Sequence, residues 1–480
     1  MLFNSIEFAL FLPLVFLFYW LFKKSRQSQN ILLLVASYIF YGWWDWRFLS
    51  LIFFSSIVDY TIGIGLLSSN ERKRKLLLWT SIVVNLGILG VFKYYNFFLD
   101  SFIDAFKWFG MEFSVSRLNI ILPVGISFYT FQTLSYSIDV YKRKMEPTKD
   151  IISFFTFVSF FPQLVAGPIE RASHLLPQFH KARKFDYKLA SDGMRQILWG
   201  LFKKVVIADN CAILANDIFE NYEIMNGPVL ALGAFYFAIQ IYCDFSGYSD
   251  IAIGTSRLFG FDLMQNFSFP YFSRNIGEFW RRWHISLSTW FRDYLYIPLG
   301  GSRGGSSRKI RNTMIIFLVS GFWHGANWTF IIWGAINAIY FLPLLLAGKN
   351  RNFVDIPAEN KVFASFKEIR QILLTFGLVC FAWIFFRAEN IAHAIDYIAG
   401  MGQRVFENPG QPLLFLTKSV NVFILVLIVF EWFHRSKKHG LQIDKTIPNR
   451  IVRGTIYISL AVFIVLMAPK TAASFIYFQF

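Results

Sequence analysis

Long apolar runs, separated by short polar and often basic loops, organise this chain. They fall at about residues 6–22, 30–44, 47–68, 76–98, 119–140, 194–219, 229–256, 312–325, 327–347, 366–387, 413–433 and 453–469. A helix needs roughly 17 or more predominantly apolar residues to cross a bilayer. Lys and Arg cluster after the first run (Lys23, Lys24, Arg26), at Arg72–Lys75, at Lys142–Lys149 and at Lys181–Lys188. Basic loops stay in the cytoplasm, so the pattern predicts about twelve spans with both termini outside. The first run has Glu7 before it and its positive charge after it, the reverse of a cleavable signal, so it is expected to be a first spanning helix.

Several runs are interrupted or too polar to face lipid. The knot Tyr41-Gly-Trp-Trp-Asp-Trp46 fits an interfacial turn. Residues 101–113 are amphipathic and are expected to lie along the outer surface. The run 119–140 carries Ser127, Thr130, Gln132, Thr133, Ser135 and Asp139, so it should face the bundle interior or a water-filled cavity. Residues 151–168 are short for a span and end in Phe161-Pro-Gln-Leu-Val-Ala-Gly-Pro168, which reads as a re-entrant segment. Asp244 is an acid close to membrane depth, expected either to pair with an arginine or to contribute to a site. From Arg257 to Arg311 there is no clean span. Eight basic residues from Arg274 to Arg311, against Glu278 and Asp293, put that part on the cytoplasmic side.

Composition agrees. Of 480 residues, 55% are hydrophobic and 16% charged, where a soluble chain has about a quarter charged. The expected fold class is an all-α, polytopic integral membrane protein of about 11–12 transmembrane helices with re-entrant and interfacial helices, forming one domain over 1–480. A net charge of +17 raises nucleic acid as a partner, but loop-borne Lys and Arg account for it, and no nucleic acid is expected. Cys211, Cys243 and Cys380 show neither metal spacing nor a disulfide framework, so they are read as packing residues and no metal is expected.

Two histidines, His284 in Arg-Arg-Trp-His-Ile-Ser and His324 in Gly-Phe-Trp-His-Gly, carry the candidate chemistry. If 278–296 is a helix, Trp280, Trp283, Leu287, Trp290, Phe291 and Tyr294 share a face and His284 borders it. That helix is either an interfacial anchor or a cytoplasmic rim where Arg281, Arg282 and Arg292 hold an anionic donor. No Lys, Arg, Asp or Glu occurs from Phe317 to Trp333. Burial there keeps the His324 imidazole neutral, able to take the proton of a hydroxyl attacking an ester or thioester. A structural histidine bonded to helix backbone is the competing reading. The run Gly300-Gly-Ser-Arg-Gly-Gly-Ser-Ser-Arg308 lacks the phosphate-loop order and reads as a cytoplasmic turn.

The chain resembles the membrane-bound O-acyltransferase family, in the branch of bacterial polysaccharide O-acetylation. The resemblance is carried by Leu122-Pro-Val-Gly-Ile-Ser-Phe-Tyr-Thr-Phe-Gln132, Pro162–Glu170, Asp244-Phe-Ser-Gly-Tyr-Ser-Asp250, Phe279–Ser286, Tyr296-Ile-Pro-Leu-Gly-Gly301 and Gly321-Phe-Trp-His-Gly325. It implies a ring of tilted helices around a thin core with a funnel on each side. It puts His324 in the position of the catalytic histidine and His284 in that of a second characteristic polar residue. Trp323, Asn327 and Asp244 join Arg281 and Arg282 as expected substrate-binding residues.

The implied reaction moves an acyl group, expected to be acetyl, from a cytoplasmic thioester (acetyl-CoA or an acyl carrier) to a hydroxyl outside. The acceptor is a polysaccharide or a secreted or periplasmic partner acetyltransferase. The setting is the bacterial cytoplasmic membrane, with the thioester as substrate and no permanently bound cofactor. A flippase of lipid-linked sugar and a non-catalytic scaffold of an acetylation complex are the alternatives.

Overall fold

The structure is a computed structural model and describes residues 1–111, 115–165, 167–359, 361–469 and 475–476. Its regular structure is helical, with no strand among the described residues. The chain packs as two compact units, Met1–Ala190 with Thr255–Met264, and Ser191–Gly254 with Gln265–Phe480.

The first unit holds α1 (Ile6–Leu21), α2 (Arg26–Asp45), α3 (Leu49–Gly65), α4 (Glu71–Leu89), α5 (Tyr95–Lys107), α6 (Ile126–Tyr141), α7 (Ile151–Ser159), α8 (Phe161–Leu164) and α9 (Ala172–Phe179). Short polar side chains start these helices by accepting the first free amide protons. Ser5 takes the N–H of Phe8, Asn70 those of Arg72 and Lys73, and Asp150 that of Ser153.

A wide turn at Gly90–Tyr94 links α4 to α5, so helix runs on to Lys107. The part of the expected amphipathic surface stretch up to Lys107 is thus continuous with α4: no proline interrupts it, and the amide bonds widen and continue. The end of that expected amphipathic stretch, Glu112 and Phe113, lies outside the described residues, as does Ala166 of the expected re-entrant segment. The described parts of α7 and α8 are almost wholly buried, so their broken backbone is covered by protein. The polar side of α6 is also covered. The buried Asp59 of α3 accepts hydrogen bonds from Ser81 and Asn85 of α4 and from Ser137 of α6.

The second unit holds most of α10 (Tyr187–Leu201) and α12 (Gly227–Leu258), with α11 (Asp209–Glu220), α13 (Ile276–Arg282), α14 (Ile285–Phe291), α15 (Gly305–His324), α16 (Trp328–Leu346), α17 (Phe366–Arg387), α18 (Ile391–Gln403), α19 (Gln411–Leu416), α20 (Val420–Phe433) and α21 (Arg450–Met467). Ser365 and Glu368 cap α17 reciprocally.

Among the described residues, six helical stretches are long and apolar enough to cross a membrane: Arg26–Gly65, Glu71–Lys107, Gly227–Leu258, Trp328–Leu346, Phe366–Arg387 and Arg450–Met467. Of the other expected spans, α1 and α20 are apolar but shorter, at 16 and 14 residues.

Candidate active site

His324 is the last residue of α15, which turns back into α16 as a tight hairpin. Gly321 and Gly334 make the hairpin possible. A β-carbon on Gly321 would lie 2.2 Å from the Phe330 carbonyl oxygen, and one on Gly334 would lie 2.3 Å from that of Phe317. Within α15, Thr313, Phe317, Ser320 and His324 line one cavity, following the helical repeat. The His324 ring is 4% exposed, with its centroid 5.0 Å from Trp323, 5.1 Å from Trp333 and 5.3 Å from Phe386.

His284 arrives by a different device. α13 stops at Arg282, Trp283 is extended, and His284 takes a left-handed backbone with φ 44°. Asn266 clamps the turn. Its carbonyl accepts the Ile285 N–H (2.9 Å), its side-chain oxygen accepts the Ser286 hydroxyl (2.8 Å), and its amide donates to Ser249 (3.2 Å). The Ser268 N–H reaches the carbonyl of Arg282 at 3.0 Å. The expected continuous helix over 278–296 is therefore corrected, because the amide of Ile285 bonds to Asn266 rather than back along a helix.

The same break removes His284 from the expected rim. It is 1% exposed, edge-on to Phe245 at 4.6 Å. Burial pushes its imidazole down to about 3, so the ring is neutral at pH 7.

The two imidazoles line the same cavity of about 230 Å³, their centroids 6.5 Å apart, with Trp323 within 6.0 Å of His284. Aromatic and apolar side chains, among them Trp280, Trp283, Leu287 and Phe291, make most of its wall. Arg292, Ser302 and Arg351 also line it, and Ser302 and Arg351 are exposed. The cavity thus joins two buried imidazole rings to a basic, open end.

The other expected site residues fall elsewhere. Arg282 donates to Glu278 (2.9 Å), to Ser268 O and to Asp355 O, and Arg281 donates to the carbonyls of Asn350 and Phe353. Both guanidinium groups tie α13 to neighbouring loops. Asn327 caps α16 through the Thr329 N–H and donates to Glu389 O, away from the cavity lining. Trp323 packs on both histidines. Asp244 pairs with the Lys204 ammonium at 2.7 Å, not with an arginine, and accepts the Ile476 N–H at 2.7 Å.

Sequence reasoning missed Ser320, Thr313 and Arg351. The helical repeat back from His324 pointed to the first two, while Arg351 comes from a loop whose approach is set only by the fold.

Membrane-length helices, together with a cavity holding two buried imidazoles, fit a membrane-embedded enzyme. The family model of the membrane-bound O-acyltransferases matches residues 38–385, and the chain belongs to that family. It is a multi-pass membrane O-acyltransferase. A probable alginate O-acetylase of Pseudomonas aeruginosa is 44% identical over 395 residues, 82% of this chain and 73% of that one. A peptidoglycan O-acetyltransferase of Helicobacter pylori is 36% identical, covering 84% of this chain and 80% of its own. A teichoic acid D-alanyltransferase of Bacillus subtilis is 28% identical over 57% of this chain and 71% of its own.

Proposed function

We propose that this enzyme transfers an acetyl group from a cytoplasmic thioester to a hydroxyl of an extracytoplasmic polysaccharide, directly or through a partner acetyltransferase. The setting is the bacterial cytoplasmic membrane. The observation that carries this reading is the single cavity running from Arg292 and Arg351 to His284 and His324. An anionic donor such as acetyl-CoA would place its phosphates at the basic end and its thioester among the tryptophans. The two acetyl-transferring relatives, named for alginate and peptidoglycan, support a polysaccharide acceptor.

In the proposed step the neutral His324 ring accepts the hydroxyl proton as the acceptor oxygen attacks the thioester carbonyl. The C–O bond forms, the C–S bond breaks, and the thiolate leaves with the proton returned from the imidazolium. His284, 6.5 Å away ring to ring, lines the approach of the thioester. The test is acceptor-dependent release of free CoA from acetyl-CoA by purified protein in vesicles. His324→Ala should abolish release while the protein melts as the parent does. Undiminished release by the variant overturns the assignment of the base, and no release by the parent favours a scaffold for a separate acetyltransferase.

A further inference from the structure

A second cavity of about 440 Å³, larger than the catalytic one, lies among α12, α17 and α20. Along α17 its wall is Ile369, Ile372, Leu373 and Phe376, one face at helical spacing. Leu373 is 64% exposed, so the cavity opens outward on the flank of a membrane-length helix. Its floor is closed by Tyr242 and Glu431, and the Tyr242 hydroxyl satisfies that carboxylate at 2.8 Å. Apolar walls of this extent do not hold ordered water well, and at membrane depth the available apolar filler is a lipid chain.

One end of the groove is distinct. Trp432 lines it and donates its indole N–H to Val362 O at 2.8 Å. The Arg435 guanidinium stacks on that indole at 4.3 Å and donates to the carbonyls of Ala358 and Lys361. The Lys361 side chain is exposed on the same loop. Tryptophan beside Arg and Lys is the pairing that sits at headgroup level in a bilayer, and cations there attract anionic lipid.

We propose that this groove is a fixed binding site for one anionic phospholipid, with an acyl chain along the α17 face and the phosphate beside Lys361 and Arg435. The site backs the catalytic turn. Tyr271 meets Phe376 edge-on at 5.0 Å and packs on Trp283 at 5.8 Å, the residue before His284.

Native mass spectrometry of the full chain, released from nanodiscs of equal phosphatidylglycerol and phosphatidylcholine, tests this. The parent should retain one lipid, phosphatidylglycerol several-fold over phosphatidylcholine. Ile372→Trp, which fills the groove, should lose the retained lipid; if it does not fold, Leu373→Trp at the open rim serves instead. Lys361→Glu should keep a lipid and lose the preference. Equal retention of both headgroups by the parent, or retention unchanged in the groove-filling variant, overturns the proposal.

Discussion

His284 holds its place against its own backbone preference. A left-handed backbone on a residue with a β-carbon costs about 1–3 kcal/mol and persists only where surroundings impose it. Here Asn266 imposes it, itself fully buried, with both ends of its side chain bonded. Asn266→Ala should leave the Ser286 and Ser249 hydroxyls without that partner and lower stability by about 1–3 kcal/mol, read by thermal unfolding. Turnover should fall in the folded fraction, because the turn loses its side-chain clamp on Ser286 and keeps only the backbone bonds of Ile285 and Ser268. Turnover equal to the parent's in that fraction would show that Asn266 is not needed to hold His284. His324 was legible in the sequence as a histidine in an uncharged helical stretch. The depth of His284 was not, because it depends on a hydrogen bond to a residue in another segment, and local periodicity instead favoured an unbroken helix.

At the level of elements, the α15–α16 hairpin sets the position of His324. Its backbones meet at Gly321 and Gly334, where any side chain collides with a carbonyl oxygen. Gly321→Ala should push the helices apart, cost about 1–3 kcal/mol by overpacking, and reduce acyl transfer by moving His324. Gly377→Ala in α17 is the control. A β-carbon there meets nothing within 4 Å, so the change should be neutral or stabilise by up to about 1 kcal/mol. Similar melting shifts for the two variants would remove close approach as the reason for the glycine. The helices were readable from their apolar runs, as at α16, α17 and α21. The wide turns at Gly90–Tyr94 and Phe202–Ala208 were not, since they follow from how neighbouring helices pack.

Over the whole molecule, charge has two separate jobs. Lys and Arg cluster in the loops and at the helix ends between apolar runs, and that distribution made the membrane class and the approximate order of helices legible. A few ions are instead buried, and their pairing could not be read because partners come from different helices. Lys204 (1% exposed) sits between Asp209 at 2.8 Å and Asp244 at 2.7 Å, all three within the second unit.

A buried pair adds little net stability, but removing one member strands the other, at a cost of about 3–5 kcal/mol. Lys204→Met strands two carboxylates, so it should be the most damaging change at this cluster, seen as loss of folded protein in detergent. Asp244→Asn removes one charge, leaves the Lys204–Asp209 pair, and retains an oxygen for the Ile476 N–H, so it should be milder. The comparison also decides what Asp244 does. If it supports the fold, Asp244→Asn lowers melting temperature and leaves KM for donor and acceptor unchanged. If it binds substrate, KM rises while melting stays near the parent's. The Lys204 geometry favours the first result, because Asp209 and Asp244 meet that ammonium as buried carboxylates and neither lines the cavity of His284 and His324.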